Sequence, residues 1–394
     1  MTVAEVELAV DMRDEGKEAL IEKKGVEPLS LPRTDFYRDV HCVFGLPIDA
    51  IPIERALFEV REASARRTRC FLSTPNLNYL VASHRDSHFR NSVLCSDLSL
   101  TDGVPLVWLG KLIGVSDIKR VAGSTLFERL VAETTTRMSV YFFGGGHGAS
   151  GLAAAVVNAR NGGVNCVGSS YPGFGSVEEM SRSEMIEEIN RCAPDFLIVA
   201  LAAKKGQAWL QHNQHRIKAP VISNLGAVVN FAAGTIRRAP RWVQEAGFEW
   251  AWRIKEEPSL WRRYFGDGMT LAKLLVSRAI PCCWYRLARP QSRLFRNACV
   301  SVRKGDGICH IDLTGPRNQR NLAPVRQAIS AAVAVPCDVV LRFQDVSYVD
   351  SAFLGLCLLL YGHQIKTGHT LRFEGLSSHM KKVFRANCVD YLLG

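Results

Sequence analysis

Between residues 43 and 234 the chain repeats one pattern: a short apolar run, a polar or glycine-rich turn, then a helical signal. FGLPIDAIPIERALFEVREA, CFLSTPNLNYLVASHR, SDLSLTDGVPLVWLGKLIG, MSVYFFGGGHGASGLAAAVVNAR, APDFLIVALAAKKGQAWLQHNQ and APVISNLGAVVNFAAG all read this way. Strands separated by helices pair in parallel, because each helix carries the chain back across the sheet. The expected fold is therefore α/β, a parallel sheet with helices on both faces. Ligands in such sheets sit beyond the carboxyl ends of the strands, which is where the polar turns fall.

The pattern stops near Gly234. Residues 237–304 hold fifteen Lys and Arg against five Asp and Glu, a net charge of +10 out of +11 for the whole chain. Within them, EAGFEWAWRIKEEPSLWRRYF reads as two short helices split at Pro258, and LLVSRAIPCCWYRLARPQSRLFRN mixes Leu, Trp, Tyr and Arg as interfacial helices do. Such a basic stretch suits a nucleic acid, an acidic lipid surface or a phosphorylated substrate. No nucleic-acid motif accompanies it, and nucleic acid is not an expected partner. From GICHIDLTG onward a second, smaller α/β unit of strands and helices follows. No uncharged apolar run is long enough to span a bilayer. The acidic first residues do not resemble a secretory signal. The twelve cysteines include no C-x-x-C pair and are expected to be reduced and mostly buried.

Four features could carry chemistry. Thr74-Pro75-Asn76 offers a hydroxyl and an amide at a strand end, although Thr and Asn also cap helices. Thr101-Asp102-Gly103 places a carboxylate at another strand end, either as a general base or as an Asx turn. Gly144-Gly145-Gly146 opens a helix and would let backbone N–H groups approach a phosphate, or would simply make a tight turn. Arg237, Arg238, Arg241, Arg253, Arg262 and Arg263, set among aromatics, match phosphate oxygens with their forked guanidiniums.

TPNLNYL, TDGVPLVWLGKLIG, KRVAGSTLFERL, VYFFGGG and GAVVNFAAGTIRRAPRWVQEAGFEWAWRIKEEPSLWRRY stand in the order and spacing of one family. Over about residues 40–270 the chain resembles the WecG/TagA/CpsF bacterial glycosyltransferases. The resemblance implies a Rossmann-like domain. It also implies inverting, metal-independent transfer of a sugar from a UDP-sugar to a polyprenyl-diphosphate-linked saccharide, without a cofactor, at the cytoplasmic membrane face during surface-polysaccharide synthesis. Carried over residue by residue, it makes Asp102 the catalytic base. It also places Thr74, Asn76 and Arg120 in the substrate pocket, and gives the basic segment with Arg237, Arg238, Arg253, Arg262 and Arg263 the nucleotide diphosphate. Gly144 and Gly145, from the glycine turn, and Gln207, standing in for the family's amide one position on, complete the expected substrate-binding set. One stretch departs from the family, which usually has L-G-x-P-x-Q-E where this chain has Leu201-Ala202-Ala203-Lys204-Lys205-Gly206-Gln207. That departure favours an alternative reading, a non-catalytic or altered regulator or scaffold that binds a UDP-sugar or, through its C-terminal domain, partner proteins.

ICHIDLTG, VSYVDSAFLGLCLLLYGHQIKTG and GLSSHMKKVFRANCVDYLL resemble a STAS domain. Its loop, commonly D-S-S-G-x-G, is here Asp350-Ser351-Ala352-Phe353-Leu354-Gly355. The commonly phosphorylated second Ser is replaced by Ala352, which points to docking of a protein partner rather than a phosphate switch. The expected layout is a tail over 1–38, a transferase domain over 39–268 with its basic appendage from about 235, an amphipathic linker over 269–304, and a STAS-like domain over 305–394. An anionic membrane surface is an expected partner, and the number of copies in an assembly is left open.

Overall fold

The structure, a computed structural model, describes residues 34–394 apart from Asp306. Of the expected tail over 1–38, residues 1–33 lie outside the described residues. Strands are numbered in chain order: β1 Val40–Val43, β2 Leu46–Asp49, β3 Cys70–Ser73, β4 Leu98–Ser99, β5 Met138–Gly144, β6 Val164–Ser170, β7 Phe196–Ala200 and β8 Val221–Asn224. β3 to β8 form one sheet in the order β4-β3-β8-β7-β5-β6, every pair parallel. Strands β3, β7 and β8 are buried along their whole length, as a sheet covered by helices on both faces requires.

Two details differ from the sequence reading. The first expected unit does not enter the sheet. β1 and β2 instead form an antiparallel hairpin closed by Phe44 and Gly45, both at positive φ. Two positive φ values in a two-residue loop match the twist of a hairpin. The sixth strand of the sheet is β6, VNCVGSS, which pairs only with β5. An edge strand of small residues, half of it accessible, lacks the apolar run that marks its neighbours.

The C-terminal unit has β9 Val300–Gly305, β10 Ile308–Thr314, β11 Asp338–Gln344 and β12 Leu371–Glu374, ordered β12-β11-β10-β9. Its central helix, Ser351–Thr367, starts at an Asp350 cap and stops at Gly368 in the left-handed region. Eleven of its residues are buried, because it is apolar on all sides, the mark of a helix sandwiched between two layers. One layer is its own sheet. The other is the β1–β2 hairpin and the helix Ser87–Leu94 of the transferase.

Two glycines permit that contact. A methyl group at Gly355 would overlap the carbonyl of Val40, and one at Gly362 the carbonyl of Leu94. Phe36, Val40, Cys42 and Leu94 share one core with Ile311, Leu341 and Phe353. Polar clamps surround it: Lys366 pairs with Asp97 at 2.6 Å, and Arg326 donates to the carbonyls of Phe36 and Arg38. Phe36, Val40 and Leu94, at ~1.5–3 kcal/mol for each fully buried side chain, rival the ~5–15 kcal/mol that holds a domain together. The two units are thus packed as one body.

The expected linker is also part of that body. Helix Trp261–Leu274 runs through one wide turn, Leu275–Ala279, into helix Ile280–Leu287. The widening falls just before Pro281, which has no N–H for the carbonyl four residues back. Asp267, Leu274, Ala279 and Cys282 face inward, while Phe265, Met269, Val276, Ile280, Trp284 and Leu287 remain exposed. The cysteines are all free, and Cys299 is the one that is exposed.

Candidate active site

A cleft of about 660 Å³ opens along the carboxyl ends of the sheet strands. The loops after β3, β4, β5, β7 and β8 contribute Thr74, Asp102, Gly145, Leu201 and Leu225. Its outer wall is Glu249, Trp250 and Arg253, followed by Arg263, Tyr264, Asp267 and Leu271. The basic appendage therefore folds over the mouth of the parallel sheet.

Asn76 caps the helix Leu77–Arg85, its side-chain oxygen accepting from the Tyr79 N–H at 3.2 Å. The cap reading and the cleft reading thus hold together, because its amide NH₂ is not needed by the cap. Asp102 follows β4, and its N–H donates to the Pro75 carbonyl at 2.7 Å. That bond ties the Thr74-Pro75-Asn76 loop to the Asp102-Gly103 loop. Gly103 stands at φ 151°, a backbone conformation that side chains rarely adopt, with Asn76 in ordinary contact beside it.

Burial raises the Asp102 carboxyl to a pKa of about 6, against the pull of nearby Arg120 and with a further push from Glu249. Arg120 stands 4.0 Å from Asp102 and bonds Glu249 directly. The arginine is thus shared between two carboxylates, and Asp102 receives only its looser contact. A carboxyl with this pKa is mostly ionised near neutrality yet more basic than an ordinary aspartate, which suits proton abstraction.

The remaining expected residues divide. Arg253 and Arg263 line the cleft. Arg253 also pairs with Glu257 at 3.0 Å and lies over the Phe231 ring. Arg237, Arg238 and Arg262 do not line it. Arg238 bonds Thr125 and Glu128 behind the wall, Arg237 is exposed and receives the Trp252 indole N–H on its carbonyl, and Arg262 points outward over Trp261. Gly145 lines the cleft, but its N–H is bonded to the Ala200 carbonyl at 2.8 Å, so it is not an open phosphate cradle. Gly144 packs against that same carbonyl at φ 100°.

Gln207 is fully buried beneath the cleft floor, where its amide donates to Ser73 Oγ at 2.7 Å. It supports the Thr74 loop instead of reaching substrate. The departure at Gly206 has a local reason. Any side chain there would collide with the amide of Asn224, and Asn224 itself lines the cleft. An amide thus occupies this place from β8.

Three wall residues were not singled out from the sequence. Glu249 was legible in the G-x-E-W-x-x-R stretch. Asn224 and Asp267, the latter held by Asn78 at 3.3 Å and raised in pKa by burial, carried no local signal. Asp350 and Ser351 lie elsewhere, at the junction of the two units. There Asp350 caps the central helix and Ser351 Oγ meets His41 Nδ1 at 3.0 Å.

Comparison with known proteins agrees with this division of the chain. Residues 41–281 match the pattern of the glycosyl transferase WecG/TagA/CpsF family, and residues 300–394 match that of the Mlab, STAS domain. Two similar proteins, one from Bacillus subtilis (strain 168) and one from Bacillus spizizenii, are both named N-acetylglucosaminyldiphosphoundecaprenol N-acetyl-beta-D-mannosaminyltransferase. They are 24% and 26% identical to this chain, over 49% of its length and 73% and 74% of theirs.

Proposed function

The chain belongs to the WecG/TagA/CpsF family of glycosyltransferases, and we propose that it transfers a sugar from a UDP-sugar to a polyprenyl-diphosphate-linked saccharide with inversion at C1. The observation that carries this reading is Asp102: a raised-pKa carboxylate in a cleft whose walls also carry Arg253 and Arg263.

In the proposed reaction the acceptor hydroxyl gives its proton to Asp102 as its oxygen attacks the anomeric carbon. The bond from that carbon to the diphosphate oxygen breaks on the opposite face. Negative charge grows on the leaving UDP, and the cleft guanidiniums of Arg253 and Arg263 stabilise it where it develops. Thr74 and Asn76, at the base of the cleft, are assigned to sugar hydroxyls. Arginine serving this role supports turnover without a divalent metal.

The acceptor is lipid-linked in this proposal, so the cleft must approach a membrane. Among the described residues no helix is long and apolar enough to cross one. The exposed stripe of Phe265, Met269, Val276, Ile280, Trp284 and Leu287, with Arg262, Lys273 and Arg286 on the same helical run, supports peripheral docking on an anionic leaflet at the cytoplasmic face. The scaffold alternative rests on the altered 201–209 loop, and the Asn224 amide beside Gly206 supports the enzyme reading over it. The STAS module remains a place for a protein partner, which must use surface other than the face already packed on the transferase.

The test is UDP release by the full chain with a panel of UDP-sugars and a lipid-diphosphate-linked N-acetylglucosamine acceptor, with product anomer read by NMR. An inverted product formed in excess chelator is expected. Absence of acceptor-dependent UDP release across the panel would overturn the reading.

A further inference from the structure

A second cavity, of about 230 Å³, lies where three parts of the chain meet: the β1 strand, the helix Ile280–Leu287 with its following turn, and the STAS loops. Tyr285 and Tyr348 stack on its wall with ring centres 4.9 Å apart, and Tyr285 Oη accepts the Val349 N–H at 2.8 Å. His41 is buried there, between Ser351 Oγ and the Asp39 carboxylate 3.4 Å away. Arg286, Arg289 and Arg320 complete the lining.

None of these three guanidiniums forms an ion pair with a carboxylate among the described residues. Arg286 packs against Gly114, and Arg289 lies over the Phe295 ring. Asp350 is the one acidic residue in the lining, and its two oxygens accept the N–H groups of Phe353 at 2.9 Å and Gln319 at 2.8 Å. Its oxygens are taken by the backbone, and one carboxylate against three guanidiniums leaves the lining with an excess of positive charge. Three arginines lining one small polar hollow make it a candidate anion receptor, since their forked donors match phosphate oxygens. The volume is below the ~300–1,000 Å³ of sites for larger ligands, so a nucleotide sugar does not fit the description and a compact phosphate does.

We propose that this junction cavity binds a dianionic phosphate group, held by Arg286, Arg289 and Arg320 and bridging the transferase to the STAS module. Two sources share that chemistry: a small phosphorylated molecule, or the headgroup of an anionic lipid reached from the exposed Trp284 and Leu287 beside it.

The experiment is isothermal titration of the full chain, in chloride buffer, with inorganic phosphate and with glycerol 3-phosphate. The same protein is then co-sedimented with phosphatidylcholine vesicles carrying phosphatidic acid. One saturable site is expected, weakened roughly tenfold or more in the double variant Arg286→Gln/Arg289→Gln and unchanged in Lys218→Gln, an exposed lysine that lines neither cavity. Both positions are exposed, so folding should survive and is checked by thermal unfolding. Phosphate that displaces wild type, but not the double variant, from the vesicles identifies a lipid headgroup. Phosphate that fills the site without affecting vesicle binding identifies a free molecule. No saturable binding by either probe, or binding equally strong in the double variant and so belonging to the cleft, overturns the proposal.

Discussion

Asp102 and Asp350 begin from the same local grammar: an aspartate in a strand-end loop, one or two residues before a helix. Both carboxyls are raised in pKa by burial. Their surroundings then separate them. The oxygens of Asp350 accept two backbone N–H groups and organise the start of the central STAS helix. Asp102 is followed by Gly103 and a helix that takes no side-chain cap, and its carboxyl is left facing a cleft with Arg120 4.0 Å away. Whether an aspartate is structural or chemical is decided by where its lone pairs go, not by the motif that carries it.

The largest expected effect tests this directly. Asp102→Asn keeps the shape and removes the base, so transfer should fall by ~10²–10⁴ with UDP-sugar binding little changed. Steady-state rates beside a donor titration measure both, and wild-type turnover would end the assignment. Asp350→Asn should leave transfer as it is. The amide oxygen can keep one of the two backbone N–H bonds, but the NH₂ then faces the other donor, so stability should fall by ~1–3 kcal/mol, offset in part above the ordinary carboxylate pKa by removal of the buried charge.

Between these extremes stands the contact of the two units. Gly362→Val, on the central helix, drives a side chain into the Leu94 carbonyl. Overpacking of this kind costs ~1–3 kcal/mol, and one cooperative melt should shift downward. An unshifted melt would mean the units separate freely. Removing residues 305–394 should do more harm than a detached module would. It uncovers Phe36, Val40 and Leu94, and aggregation or loss of cooperative unfolding is expected, seen by light scattering and calorimetry.

The pH profile sharpens the comparison more finely. With Asp102 at about 6, kcat/KM should fall as pH drops through that value, because the base becomes protonated. Glu249 pushes this pKa up, so Glu249→Gln should move the acid limb to lower pH. A limb that stays put or rises would break the Asp102–Arg120–Glu249 arrangement.

Much of this was legible in the sequence, and the reason is locality. Thr74, Asn76 and Asp102 sit in turns beside their own strands, and an apolar run followed by a turn announces where a strand ends. β6 escaped because an edge strand needs no apolar run. Gln207 looked like a substrate amide because its neighbour Ser73 is distant in sequence. The pairing of Gly355 with Val40, of Gly362 with Leu94 and of Ser351 with His41 joins residues hundreds of positions apart. Nothing near either member reports the other, so a separable C-terminal unit was the natural expectation.

The two glycines lie seven residues apart, two turns along one helix face. They make this C-terminal part a fitted component, not an interchangeable cassette. A homologous module grafted here would need bare backbone at both steps, and one carrying a side chain at either would seat proud of the hairpin at Val40 or of the helix end at Leu94. In recombination between relatives the two halves are therefore expected to be inherited together, and chimaeras that respect the sequence boundary near residue 300 should fail unless those two positions travel with their transferase.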